Sequence, residues 1–246
     1  MSIYLISLIF FVIAGLYASV GFGGGSSYIT ILLLVGMVVE DVRLIALICN
    51  IVVVLGSCIN YYRADIIAWK KILPIVVLSV PFAFLGGTIQ LGGTTYELLA
   101  GITLVIAAVL MLKPIQTKDE KTNRTLSPIT RSAIGSGIGF VSGLIGIGGG
   151  IFLSPLLSIM KWQTAKVISV TASVFILFNS VAGIAGQLTN GISVDIRKIL
   201  ILGLSVLVGG QIGNYLNIKI LTPHGIRILT AILVGVAGMR FILINT

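Results

Sequence analysis

Apolar positions in this chain fall into long runs rather than along one face of a helix, and most of the runs are near twenty residues long. At 1.5 Å per residue, about 20 residues cross the ~30 Å of hydrocarbon in a bilayer. Six runs are long enough: 44–62, 72–91, 96–112, 166–188, 198–216 and 225–244. Two further stretches are interrupted. Residues 3–38 carry Gly21-Phe22-Gly23-Gly24-Gly25 in their middle, and residues 131–160 carry Gly146-Ile147-Gly148-Gly149-Gly150. After each glycine cluster, the apolar pieces 28–38 and 151–160 reach about halfway across a bilayer. The pattern predicts an all-α polytopic membrane protein with two half-length helices.

The two clusters are spaced as an internal repeat, Gly21 matching Gly146 and Gly23–Gly25 matching Gly148–Gly150. Lys71-Ile72-Leu73 recurs as Lys198-Ile199-Leu200, and Gly86-Gly87 as Gly209-Gly210. The expected organisation is a first membrane repeat (1–112), a polar linker (113–130) and a second membrane repeat (131–246). Each repeat holds a glycine-broken, re-entrant hairpin and three transmembrane helices.

Topology follows from parity. If each broken stretch leaves and re-enters on one side, the halves are inverted; if its first part crosses, they are parallel. The inverted arrangement gathers 12 of the 16 Lys and Arg on one side: Arg63, Lys70, Lys71, Lys113, Lys118, Lys121, Arg124, Arg131, Lys161, Lys166, Lys219 and Arg227. The parallel arrangement gathers 11, so the excess of cytoplasmic cations favours the inverted halves by one residue; inverted repeats are the expectation and parallel ones the alternative. Both place the 63–71 loop and the linker in the cytoplasm. The termini lie outside if the halves are inverted and inside if they are parallel.

Composition agrees with the runs. Charged residues make up 9% of the chain and hydrophobic ones 57%, whereas a soluble domain carries about 25% charged residues to face water. Lipid is the partner that such a surface requires. A soluble enzyme, a disordered chain and a nucleic-acid binder are excluded, and the net charge of +9 is assigned to cytoplasmic loops. Cys49 and Cys58 lie nine residues apart in one apolar run, on opposite sides of a helix, which excludes a bridge between them. The single His224 adds too little for a metal site. No cofactor is expected.

A glycine cluster at membrane depth weakens a helix by about 1 kcal/mol per residue relative to Ala. It also frees backbone groups, which survive only inside protein or beside a watery cavity. The half-helix that follows begins with free N–H groups at its positive dipole end, a place for a small anion without a basic side chain. Gly21, Gly23, Gly24 and Gly25, with the hydroxyls of Ser26 and Ser27, form the first candidate site. Gly146, Gly148, Gly149 and Gly150 form the second, where Ile151 and Phe152 leave backbone alone. The competing explanation for membrane glycines is close helix packing, and Gly135, Gly137 and Gly139 are assigned to it. Two broken helices meeting near the midplane is an arrangement that secondary transporters use.

The duplicated Gly-x-Gly-Gly-Gly resembles that of the TauE/SafE sulfite exporter family. So do Ser154-Pro155-Leu156-Leu157 after the second copy, Thr171-Ala172-Ser173, and Val194-Asp195-Ile196-Arg197. The resemblance spans essentially the whole chain. Ser26-Ser27-Tyr28-Ile29 departs from it, because a proline-containing continuation is common at that place. What the resemblance implies is export or uptake of a small sulfur-containing anion such as sulfite, thiosulfate or a sulfonate.

Polar residues inside the runs complete the candidates. Asn50 and Asn179 lie on the helix after each broken hairpin, and Thr171 and Ser173 lie earlier on the second of these. Amides at such depth serve either as ligands or as interhelical hydrogen bonds. None of the 23 charges falls at the centre of a run, which argues against a buried carboxylate relay. The expected function is a permease of the cell membrane that moves a small anion by alternating access, with H⁺ or Na⁺ as possible coupling ion. The oligomeric state is left open. An anion channel is the alternative. A membrane-embedded enzyme or assembly factor would need a nucleophile–base pair or metal cluster that this inventory lacks.

Overall fold

The computed structural model describes residues 2–19, 21–112, 126–191, 195–216 and 223–245. Within them the chain is helical: α1 (Ile3–Ala18), α2 (Gly25–Leu34), α3 (Val39–Arg63), α4 (Trp69–Thr88), α5 (Gly93–Leu112), α6 (Pro128–Ile145), α7 (Gly150–Ile159), α8 (Ala165–Leu188), α9 (Ile196–Leu216) and α10 (Pro223–Asn245). Most of the expected linker, and the side chain of His224, lie outside the described residues. Helices α3, α4, α5, α8 and α9 are long and apolar enough to cross a membrane. Leu8, Val77, Val109, Leu200 and Val236 stand exposed on the outside of the bundle, as a lipid-facing surface requires.

Small residues bring the helices together. Gly135, Gly139 and Gly143 of α6, one per turn, lie directly on the backbone of Ile75, Ser79 and Ala83 of α4. Gly15 of α1 meets Gly209 and Gly213 of α9 in the same way, and Gly101 of α5 meets Gly238 of α10. Without a hydrophobic difference between lipid and protein interior, this close approach supplies the van der Waals contact that holds membrane helices together. Gly137 corrects an expectation: a Cβ there would meet nothing within 4 Å, so it is not a packing glycine.

The order of these contacts fixes helix directions. Residues rise together along α4 and α6 and along α1 and α9, so each of those pairs is parallel. In α3 and α8, Leu47 lies against Gly183, while Tyr61 and Ser169 close on Gly21 from both sides; this pair is antiparallel. So are α5 and α10, where Gly101 faces Gly238 and Ala108 faces Gly235. These two pairs of helices five places apart therefore run in opposite directions.

Both ends of the α6–α7 unit return to one face. Arg131 donates to the Lys71 carbonyl at 2.9 Å, and Lys71 Nζ donates to Gln163 Oε1 at 2.9 Å. A parallel arrangement would put Lys71 and Gln163 on opposite sides of the membrane. The opposite face gathers the starts of α3 and α9 through the Lys198–Asp41 ion pair at 3.5 Å, and the ends of α4 and α8 through Asn190 and the Thr88 carbonyl at 2.9 Å. The α6–α7 segment thus turns back at its glycine cluster.

One charge lies where none was expected. Arg43, placed just outside a span by the sequence pattern, is on the second turn of α3 and 2% exposed. Its guanidinium donates to the carbonyls of Ile89 at 3.0 Å, Gly87 at 3.3 Å and Gly143 at 3.1 Å. It thereby serves carbonyls at the negative end of α4 and on α6, which have no helical partner or a shared one.

Candidate functional site

The two hairpin tips face each other. Gly24 and Gly149 cap α2 and α7 with φ of +85° and +80°, a left-handed turn that a side chain would strain. Each turn leads directly into a helix whose first N–H groups have no partner within that helix. At α2, the N–H groups of Ser27 and Tyr28 bond the Gly24 carbonyl; at α7, those of Phe152 and Leu153 bond the Gly149 carbonyl. The N–H groups of Gly25, Ser26, Gly150 and Ile151 have no hydrogen-bond partner among the described residues.

Those four residues border one cavity of about 50 Å³, completed by Tyr17, Phe22, Gly23, Gly24, Asn50, Met111, Ile147, Ser154, Pro155 and Ile176. One water takes about 10–15 Å³ on this measure, so the space suits a ligand of a few heavy atoms. Asn50 spans the gap. Its Nδ2 donates to the Ile147 carbonyl of the second tip at 3.0 Å, while its Oδ1 is buried without a partner. Ser154 Oγ, one turn into α7, is likewise buried and unpartnered. No Lys, Arg, His, Asp or Glu borders the cavity. Positive potential there comes from two helix ends. Among the described residues, no group of three His, Cys, Asp or Glu could hold a metal ion.

Of the sequence candidates, Gly23, Gly24, Gly25, Ser26, Asn50 and Gly150 meet at the cavity wall. The others stand behind it. Ser173 Oγ donates to the Gly21 carbonyl at 2.5 Å and fixes the first hinge. Gly146 packs against Arg43, and Gly148 against Asn50 and Ser180. The Ser27 hydroxyl pairs with Tyr17 at 2.8 Å. Thr171 bonds its own helix at the Val167 carbonyl, at 2.7 Å. Asn179 donates to Ser79 at 2.9 Å and to the Phe175 carbonyl at 2.8 Å, joining α8 to α4 away from the cavity. Tyr17, Ile151 and Ser154 were not among the candidates; Ser154 was visible as part of the Ser-Pro-Leu-Leu motif.

A family model described as sulfite exporter TauE/SafE matches residues 6–241. A probable membrane transporter protein of Sinorhizobium fredii is 31% identical over 242 residues, covering 96% of this chain and 97% of its own. One of Methanocaldococcus jannaschii is 28% identical over 78% of this chain and 76% of its own. A third, of Bacillus subtilis, is 26% identical over 94% of each. No solved structure matches the chain.

Proposed function

The chain belongs to the sulfite exporter TauE/SafE family, and from that premise we propose that it carries a small sulfur-containing anion, such as sulfite, thiosulfate or a sulfonate, by alternating access. That it is a multi-pass membrane transporter and not an enzyme follows from the family and its relatives. What supports the anion is one observation: the first two residues of each half-helix, Gly25 and Ser26 of one and Gly150 and Ile151 of the other, border a single cavity. N–H groups at helix starts bind a negative charge in the dry interior without a counter-charge that would hold it too tightly to release. The hydroxyls of Ser26 and Ser154 add two adaptable donors. Size favours an anion of four or five heavy atoms over a bulky organic sulfonate.

Alternating access uses the same geometry. Each hairpin tip belongs to a different half, and Asn50 Nδ2 ties one to the other across the cavity. Rocking of the halves would open the cavity to one face or the other. Reconstituted protein should take up labelled sulfite, and unlabelled sulfite preloaded inside should accelerate that uptake. Non-saturating flux without such acceleration would replace the carrier with a channel, and no flux of any sulfur oxyanion would end the proposal.

Sidedness is tested separately. With Lys70, Lys71, Arg131, Lys161 and Lys166 on one face, the cation excess makes that face cytoplasmic. A tag at either terminus should then be reached by antibody on intact cells. Labelling only after permeabilisation would reverse the assignment.

A further inference from the structure

We infer that the cavity selects an oxyanion that still carries a proton, a singly charged O–H-bearing species such as hydrogen sulfite, over the fully deprotonated dianion. The inference rests on the proposed anion site and narrows its ligand. Its main support is the amide of Asn50. Nδ2 is committed to the Ile147 carbonyl at 3.0 Å; turning the amide over would set two oxygens against each other. Oδ1 lies against Gly23 and Gly25 of the first tip as an acceptor, 1% exposed as a residue and without a donor. A buried acceptor left unmade is costly, so a ligand that brings its own O–H is favoured. A deprotonated anion offers this atom another oxygen and is repelled.

Charge points the same way. The desolvation cost of an ion grows with the square of its charge, whereas the four N–H groups attract in simple proportion to it. No cationic side chain borders the cavity to make up the difference. Among the described residues, the only titratable side chain on the wall is Tyr17, engaged with Ser27. Cys49 and Tyr28 are buried on α3 and α2 nearby, and Arg43 is occupied by backbone carbonyls. Selection by proton would then reside in the substrate, and each turnover would move a proton with the anion without any carboxylate relay.

The test is binding of sodium sulfite and sodium methanesulfonate to the purified protein in nanodiscs, from acid to mildly alkaline pH. Methanesulfonate is a monoanion with no O–H at any of these values. Affinity for total sulfite should fall about tenfold per pH unit once sulfite loses its second proton. Methanesulfonate should bind more weakly than hydrogen sulfite and show no pH dependence. In Asn50→Leu the preference between the two should collapse toward unity. Sulfite affinity that is flat with pH, methanesulfonate that equals hydrogen sulfite or falls in parallel, or a preference retained in Asn50→Leu would each overturn the inference while leaving an anion carrier standing. Should Asn50→Leu fail to fold, the two wild-type titrations decide. Absence of binding by either anion at every pH would instead defeat the site on which the inference rests.

Discussion

Leucine at Gly143 should leave no monodisperse protein after detergent extraction, while leucine at Gly137 should be nearly silent. A Cβ at Gly143 would overlap the carbonyl oxygen, carbonyl carbon and Cα of Ala83. These are backbone atoms inside α4, and they cannot rotate away as a side-chain end could. Gly139 and Gly135 make the same contact one and two turns earlier, so α4 and α6 would have to part along their length. Separation would also pull the Gly143 carbonyl from Arg43, which holds it at 3.1 Å, and strand a buried charge. Overpacking typically costs 1–3 kcal/mol where side chains can adjust, and more is expected here. That is a large part of a total stability of roughly 5–15 kcal/mol. At Gly137 nothing lies within 4 Å, and exchanging a helical glycine for leucine gains up to about 1 kcal/mol in propensity. Size-exclusion profiles of fluorescent fusions would show the contrast. Equal profiles for the two variants would mean that the α4–α6 contact is not where the fold is held.

The long helices were legible because spanning length and apolarity suffice to mark them. Expected runs such as 96–112 and 166–188 differ from α5 and α8 by a few residues at one end. The half-helices were legible because glycine breaks a helix whatever surrounds it. Tertiary direction was not. Gly137 and Gly139 are the same residue two positions apart, but two positions turn a helix by about 200°, so one faces lipid and the other α4. Asn50 and Asn179 occupy similar places after each hairpin; one turns toward the tips and the other toward Ser79. Arg43 was missed because its partners are carbonyls 44 and 100 residues away, and a backbone carbonyl leaves no mark in composition. Helix direction was equally hidden, since one residue of charge bias could not choose between two parities. A single contact, Lys71 to Gln163, favours the inverted one.

Alanine at Gly25 should abolish anion binding, by at least about a hundredfold, at a smaller cost in melting temperature than Gly143→Leu. Gly24 and Gly149 sit at positive φ, so any side chain there strains the backbone by roughly 1–2 kcal/mol and confounds binding with folding. Gly25 is the first residue of α2, outside the left-handed region, where alanine is at home. Its added methyl would project onto the amide of Asn50 and the Ile147 carbonyl, into the gap between the tips. Relief requires Asn50 to move or the tips to part, and either change misplaces the opposed N–H pairs. Losing two hydrogen bonds to a charged ligand, at about 1.5–3 kcal/mol each, is a hundredfold or more in affinity. Crowding costs about 1–3 kcal/mol in stability, offset in part by up to about 1 kcal/mol of helix propensity. Ser26→Ala is the graded companion: it deletes one hydroxyl donor, and binding should weaken by roughly 0.5–1.5 kcal/mol with no steric effect. Sulfite titration and thermal unfolding of the same preparations separate the two quantities. If Gly25→Ala binds sulfite as the parent does, the anion is not held between the hairpin tips. If it instead loses stability as Gly143→Leu does, the tips are a packing contact and the cavity between them is incidental.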